Sequence, residues 1–187
     1  MPAAVPLHAI RKLTYEDYAL ILDDGRRHEI LDGVHVMSPV PLTRHQRLVG
    51  DLCFELRSFV REHGLGEMVV ASFDVVLDAS TIVQPDVCFV ADGRGIVDAV
   101  NCKGAPDLVV EVLSESTRRR DLTDKRLLFE RFGVAEYWAV DPDAAEVQRF
   151  RLHDRAYVRT VLRAEGCDAL ASERLPGFAL SVADLFG

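Results

Sequence analysis

Ile82-Val83-Gln84-Pro85-Asp86-Val87-Cys88-Phe89-Val90 and Ala105-Pro106-Asp107-Leu108-Val109-Val110-Glu111-Val112-Leu113-Ser114 are two apolar, strand-like stretches, and each carries acids where a core would be expected. A polar, helix-like segment follows, Arg118-Arg119-Arg120-Asp121-Leu122-Thr123-Asp124-Lys125-Arg126. An ionised carboxylate in a buried strand is costly unless a partner or a metal compensates it. Alternation puts Asp86, Cys88 and Val90 on one face of the first stretch. In the second, Asp107, Val109, Glu111 and Leu113 share a face, while Leu108, Val110 and Val112 take the other. Asp107 lies roughly 13 Å along the strand from Glu111. That is too far for both to meet one metal, so Asp107 reads as strand-entry chemistry after Pro106.

Outward from this centre, 68–77 predicts a strand that Asp78-Ala79-Ser80-Thr81 turns into the strand 82–91. A Gly- and Asp-rich loop over 92–104 leads to the third strand, 106–113. A helix over about 119–132 follows, with Leu122, Leu127, Leu128 and Phe132 on its apolar side and Gly133 at its end. Tyr137-Trp138-Ala139-Val140 is a fourth strand, stopped by Asp141-Pro142. Upstream, Leu48, Val49, Leu52, Leu56, Phe59 and Val60 recur at helical spacing and predict a helix over 44–63, ended by Gly64 and Gly66. The core thus reads helix, three strands, helix, strand.

The N-terminal part reads as a loose lead-in over 1–13, then a helix from Thr14 to about Leu22 with Asp17 in the capping-box position. Asp23-Asp24-Gly25 ends it. His28 to Met37 predicts a hairpin around Asp32-Gly33, a type I′ signal. That turn pairs Leu31 with Val34 and Glu29 with Val36, so Glu29 shares a face with apolar residues. On the hairpin alone it reads as a rim glutamate reaching water. At the other end, 147–152 and 157–162 predict a hairpin about Asp154-Arg155. Leu175-Pro176-Gly177-Phe178 then leads to a short helix over 181–186, capped by Ser181. This tail either covers the sheet or builds a dimer edge.

The totals set limits. A chain of 187 residues suits one domain, 1–187, with a sizeable core. Its net charge of -8 argues against coating of nucleic acid in general, though not against a local basic groove. The four cysteines are widely spaced with no CxxC pair, which reads as reduced thiols in a cytoplasmic protein. No secretory leader and no membrane-spanning apolar run stands out.

Asp86 and Glu111 on adjacent strands can converge on one point. Converging carboxylates repel, so either one takes up a proton or a divalent cation lies between them. Oxygen-only ligands suit Mg²⁺ or Mn²⁺. Such an ion polarises a phosphodiester and helps generate hydroxide, and a nearby lysine orients the water or steadies the developing charge. Asp121 and Lys125, by contrast, also read as a surface i,i+4 pair worth about 0.2–0.5 kcal/mol.

The pattern resembles the PD-(D/E)XK nuclease superfamily and, more closely, its Uma-type branch of restriction-endonuclease-like bacterial proteins. The likeness spans nearly the whole chain. It rests on Asp17-Tyr18, His28-Glu29-Ile30-Leu31-Asp32-Gly33, Met37-Ser38-Pro39, His45-Gln46, Gln84-Pro85-Asp86, Pro106 through Ser114, Ser116-Thr117, Asp121, Lys125 and Glu136-Tyr137-Trp138. The resemblance implies an α/β (α+β) fold, a mixed central sheet flanked by helices in the order α-β-β-β-α-β. It implies a Mg²⁺- or Mn²⁺-dependent endonuclease acting on DNA rather than RNA, usually as a homodimer. Asp86 and Glu111 would be the metal ligands, with Glu29 an additional acid and His45, Gln84 and Asp121 in support. The superfamily lysine normally lies two residues after the acid, where this chain has Leu113, so Lys125 is the candidate replacement. Arg118, Arg119, Arg120 and Arg126 would meet phosphates. Two other readings stand beside this one: a non-catalytic descendant of the fold acting as a binding or regulatory module, and a structural core in which an arginine pairs with each acid.

Overall fold

The computed structural model describes residues 11–22 and 24–187. Most of the lead-in and Asp23 lie outside the described residues. Thr14 opens α1 (Tyr15–Tyr18) with the expected capping box, its backbone N–H donating to Asp17 Oδ2 at 2.9 Å. The helix stops at Tyr18, short of the expected Leu22. The hairpin β1 (Arg27–Leu31) and β2 (Val34–Ser38) forms in the expected register, Leu31 opposite Val34 and Glu29 opposite Val36. Asp32 and Gly33 both have positive φ, 52° and 84°, as a type I′ turn requires.

Helix α2 (Thr43–His63) follows, closed by Gly64 in the left-handed region at φ 61°. Leu48, Leu52, Leu56 and Val60 form its buried stripe. The two strands expected next each divide in two. The first becomes β3 (Gly66–Val70) and β4 (Asp74–Asp78); the second becomes β5 (Thr81–Val83) and β6 (Val87–Ala91). β3 and β6 pair in a six-stranded sheet, whereas β4 and β5 pair in a five-stranded one. Pro85 has no N–H to give a ladder, so the chain changes sheets at Gln84-Pro85-Asp86. The expected loop over 92–104 contains a short strand, β7 (Asn101–Lys103), parallel to β4.

β8 (Leu108–Val112) pairs antiparallel with β6 and parallel with β9 (Glu136–Asp141). The crossover is one helical rod in three parts: α3 (Arg118–Arg120), a π-helical turn over Asp121–Lys125, and α4 (Arg126–Phe132). Within it the Arg126 N–H donates to Asp121 O, an i to i+5 bond. The Tyr137 hydroxyl also donates to Asp121 O, at 3.2 Å, a side chain drawing that carbonyl out of the α ladder. β10 (Glu146–His153) and β11 (Ala156–Arg163) extend the sheet around Asp154 and Arg155, both at positive φ. A small pair, β12 (Ala169–Ala171) and β13 (Ala179–Ser181), precedes α5 (Val182–Phe186), whose N-cap is Ser181.

The six-stranded sheet, ordered β11-β10-β9-β8-β6-β3, is the middle layer. On one face it meets α2 and the tail: Leu52 and Leu56 pack with Phe89, Val110, Trp138, Leu170, Phe178 and Leu185. The tail therefore covers the sheet. On the other face Cys88, Val109, Leu113 and Tyr137 pack with Phe129 of α4 and with Leu31, Val75 and Val83 of the five-stranded sheet, ordered β2-β1-β5-β4-β7. Within the middle layer the order α2, β3, β6, β8, crossover helix, β9 is the expected α-β-β-β-α-β core.

Candidate active site

The β6–β8 register pairs Cys88 with Val109 and Val87 with Val110. One step further, Asp86 faces Glu111 across the strands. Asp86 Oδ2 accepts the Val112 N–H at 2.8 Å and lies 3.1 Å from His45 Nε2, at the start of α2. Arg27 on β1 reaches Asp86 Oδ1 with Nη2 at 2.8 Å. Glu111 Oε1 is paired with Lys125 Nζ, and the same nitrogen lies 2.9 Å from Glu29 Oε1. The Gln84 N–H, freed from any ladder by the sheet change, donates to Glu29 Oε1 at 2.8 Å. The Gln84 amide donates to Asp74 Oδ1 and to the Tyr18 hydroxyl, which itself donates to Asp74.

Glu29, Asp86, Glu111, Asp121 and Lys125 are all 3% exposed or less. Two expectations are corrected. Glu29 is not a rim residue, because the π turn covers its face and brings Lys125 onto it. Asp121 and Lys125 are not a solvated surface pair, since both are buried and Lys125 is held by Glu111 and Glu29. Burial pushes the Glu111 carboxyl up, and the charges of Asp86, Asp121 and Glu29 add to that against the pull of Lys125, leaving it at about 8. Burial also raises Asp121. Burial likewise opposes ionisation of Asp86, but the His45 hydrogen bond, Arg27 and the Val112 amide outweigh it and hold Asp86 low. Lys125 stays protonated: Glu111, Glu29 and Asp121 outweigh the burial that disfavours its charge.

Buried acids elsewhere in the sheet have complete structural partners. Glu136 accepts from the Trp138 indole, the Ser172 hydroxyl and the Glu173 amide. Asp141 accepts from Arg118 and from the Asp143 and Ala144 amides. At the central cluster, Glu29 Oε2 and His45 Nδ1 are buried without any hydrogen-bond partner. Leaving one such atom unpaired costs about 1–3 kcal/mol. The cluster opens onto a cleft of about 550 Å³ whose walls include Arg27, His45, Asp86, Glu111, Arg120 and Lys125.

The basic run divides. Arg118 is spent on Asp141, and Arg126 on the Leu122 carbonyl and on Glu130, 3.6 Å away. Arg119 is exposed, and Arg120 bonds Ser38 at the cleft edge. Arg27 carried no sequence signal of its own beyond sharing a β1 face with Glu29. It meets the condition of the structural-core reading at Asp86, but Glu111 is paired with a lysine instead. Among the described residues, no group of three or more His, Cys, Asp or Glu side chains is arranged to hold a metal ion. Nor is any helix long and apolar enough to cross a membrane.

Residues 14–183 match the family described as Uma2, "Putative restriction endonuclease". The chain is similar in structure to a crystal structure titled as a putative nuclease belonging to DUF820 from Anabaena variabilis. The TM-score is 0.79 at 18% identity, over 93% of this chain and 97% of that one. At that identity the likeness speaks for the fold. No curated protein matches the chain.

Proposed function

We propose, from the premise that the chain belongs to the Uma2 family of restriction-endonuclease-like proteins, that it is a divalent-metal-dependent endonuclease hydrolysing phosphodiester bonds in DNA. The observation that carries this reading is the buried cluster of Glu29, Asp86, Glu111 and Asp121 around Lys125 at the wall of a cleft, with acceptor positions left over. The donor set fits Mg²⁺ or Mn²⁺, which take one or two carboxylates and keep water and substrate phosphate as their other ligands. The electrostatics fit as well. The acids Glu29, Asp86, Glu111 and Asp121 outnumber the fixed cations Arg27 and Lys125 at the cluster, which leaves room for a further positive charge. Asp86 receives three donors, and a carboxylate has about four lone-pair sites, so one position remains on Oδ1.

Asp86 and Glu111 are the proposed ligands. When bound, the ion supplies Lewis acidity toward the phosphodiester and lowers the pKa of water. The chain's own residues do the rest. Lys125, protonated and fixed by Glu29, donates to the attacking water or to a phosphoryl oxygen as its charge grows. His45 and the Val112 amide fix the direction of Asp86. Gln84 holds Glu29, and Asp121 adds to the field that keeps Lys125 charged. Arg27 and Arg120 line the approach to the cleft and suit phosphate. The four free thiols support a cytoplasmic location. β11, an edge of the six-stranded sheet, offers a surface for a homodimer.

A second reading, a non-catalytic binding module, is favoured by the buried Leu113 at the usual lysine position and by the guanidinium on Asp86. Incubation with plasmid DNA and with circular single-stranded DNA, each in Mg²⁺ or Mn²⁺, separates the two. The nuclease reading predicts cutting that is lost in Asp86→Ala and in Glu111→Ala. Cutting that survives both substitutions, or none by the wild type with either ion, removes it.

A further inference from the structure

A second cavity, of about 640 Å³, lies against the cleft just described. Arg27 and Asp86 belong to the walls of both, as do Pro39, Val40 and Pro41. Besides Asp86 and Ser72, the polar part of its lining includes Tyr18, Arg26, Arg27, His28, Gln46 and Gln84. Leu22 and Val40 stand at it with 85% and 71% exposure. Its size falls in the roughly 300–1,000 Å³ range of small-ligand pockets. None of this space is used by the chemistry assigned to Asp86, Glu111 and Lys125.

Hydrolysis of an internal phosphodiester needs room for a nucleotide on each side of the reacting phosphate. With that phosphate at Asp86 and Glu111, the first cleft takes one side and the second cavity can take the other. The lining suits a nucleotide taken out of a base-paired stack. Arg26 and Arg27 suit a flanking phosphate. The Tyr18 ring and the exposed Leu22 and Val40 suit a base face. Gln46 is exposed on α2, and no described residue partners its side-chain amide, which leaves it free for a base edge. A duplex, in contrast, is held by neutralising many phosphates, on the order of 6–10. Around the two cavities the arginines are Arg26, Arg27 and Arg120, among several acids, in a chain of net charge -8.

We infer that the second cavity is a nucleotide subsite and that the substrate of this site is an unpaired DNA strand. This rests on the nuclease reading above and adds the substrate class to it.

The test is fluorescence anisotropy with a short fluorescein-labelled DNA strand, alone and annealed to its complement, in EDTA so that no cleavage intervenes. The single strand is expected to bind about tenfold or more tighter than the duplex, as stacking-based recognition implies. Gln46→Glu, on the exposed face of α2, is expected to weaken single-strand binding about fivefold or more through like-charge repulsion. Ser58→Asp adds a negative charge roughly 18 Å further along the same helix and is expected to leave binding within about twofold, since that distance exceeds a Debye length of about 8 Å. Equal or tighter binding of duplex, or equal effects of the two substitutions, overturns the subsite. If duplex is also cut in Mn²⁺, the nuclease reading survives that loss. If neither form binds and neither is cut, both fall together.

Discussion

Lys125 is a lysine that the fold removes almost wholly from water, and it stays charged because two carboxylate oxygens lie on its ammonium group. Taking that charge away strands Glu29 and Glu111 against each other. Lys125→Met is therefore expected to cost about 3–5 kcal/mol, the usual scale for breaking a buried pair from one side. Urea unfolding at neutral pH measures it, and a loss below about 1 kcal/mol would contradict the arrangement. Arg27→Gln leaves Asp86 with His45 and the Val112 amide alone. It is expected to destabilise the metal-free protein by a similar amount, part of which Mn²⁺ restores if Asp86 is a ligand. Much of this site was legible in the residues. Asp86 and Glu111 announced themselves as acids inside apolar strands, and Lys125 as the first lysine after them. The environment of Glu29 was not legible, because the hairpin shows which face it occupies and not what covers that face. The cover comes from the π turn over Asp121–Lys125, far along the chain. Arg27 was missed because its meaning depends on a neighbour 59 residues away in sequence.

At the scale of elements, the π turn is the device that aims Lys125. A π turn is in effect one residue more than the α-helix around it needs. Deleting the exposed Thr123 should let the α ladder close, turning Lys125 by about 100° relative to the segment before it. Far-UV circular dichroism should change little, while stability falls as in Lys125→Met; a deletion variant as stable as the wild type would contradict this role. The turn left no trace in the pattern of residues 119–132, since one extra residue in a short amphipathic helix is absorbed by its polar face. The division of 68–77 and 82–91 between two sheets was hidden for a related reason. A chain that changes sheets in mid-run keeps its apolar composition, and Pro85 was the one residue there that argued against a continuous strand. The hairpin at Asp32-Gly33, by contrast, was legible to the register, because positive φ at both turn residues is a local demand that an Asp-Gly pair states, and the one at Asp154-Arg155 was legible in its place along the chain.

Across the whole molecule, two packed layers on either side of the six-stranded sheet decide what solvent can reach. Burial pushes the Cys88 thiol up to about 12 and the Cys102 thiol up to about 11. Both therefore remain protonated and covered at pH 8, whereas Cys167 is exposed and Cys53 half-buried. Iodoacetamide should label Cys167 and then Cys53 in the folded protein, and Cys88 and Cys102 only after unfolding. Peptide mass mapping would read this, and rapid native labelling of Cys88 would contradict the packing. The sign for stability follows. An unfolded thiol ionises near its ordinary value of about 9, below the folded values, so stability falls as pH rises from about 9 toward 11. The assembly of these layers was legible as a class, from the α-β-β-β-α-β order. The five-stranded sheet that carries Glu29 and Arg27 to the centre was not, because its strands are short and come from three separate places in the chain: the β1–β2 hairpin, the β4–β5 hairpin and β7.

The central claim is that Asp86 and Glu111 together hold a divalent cation beside Lys125. The most direct test is calorimetric titration of Mn²⁺ into the protein in the presence of a phosphorothioate oligonucleotide that supplies phosphate oxygens without being cut. One saturable site in the wild type, absent in both Asp86→Ala and Glu111→Ala, is the predicted result. No saturable heat in the wild type, or the same isotherm in all three proteins, would contradict it.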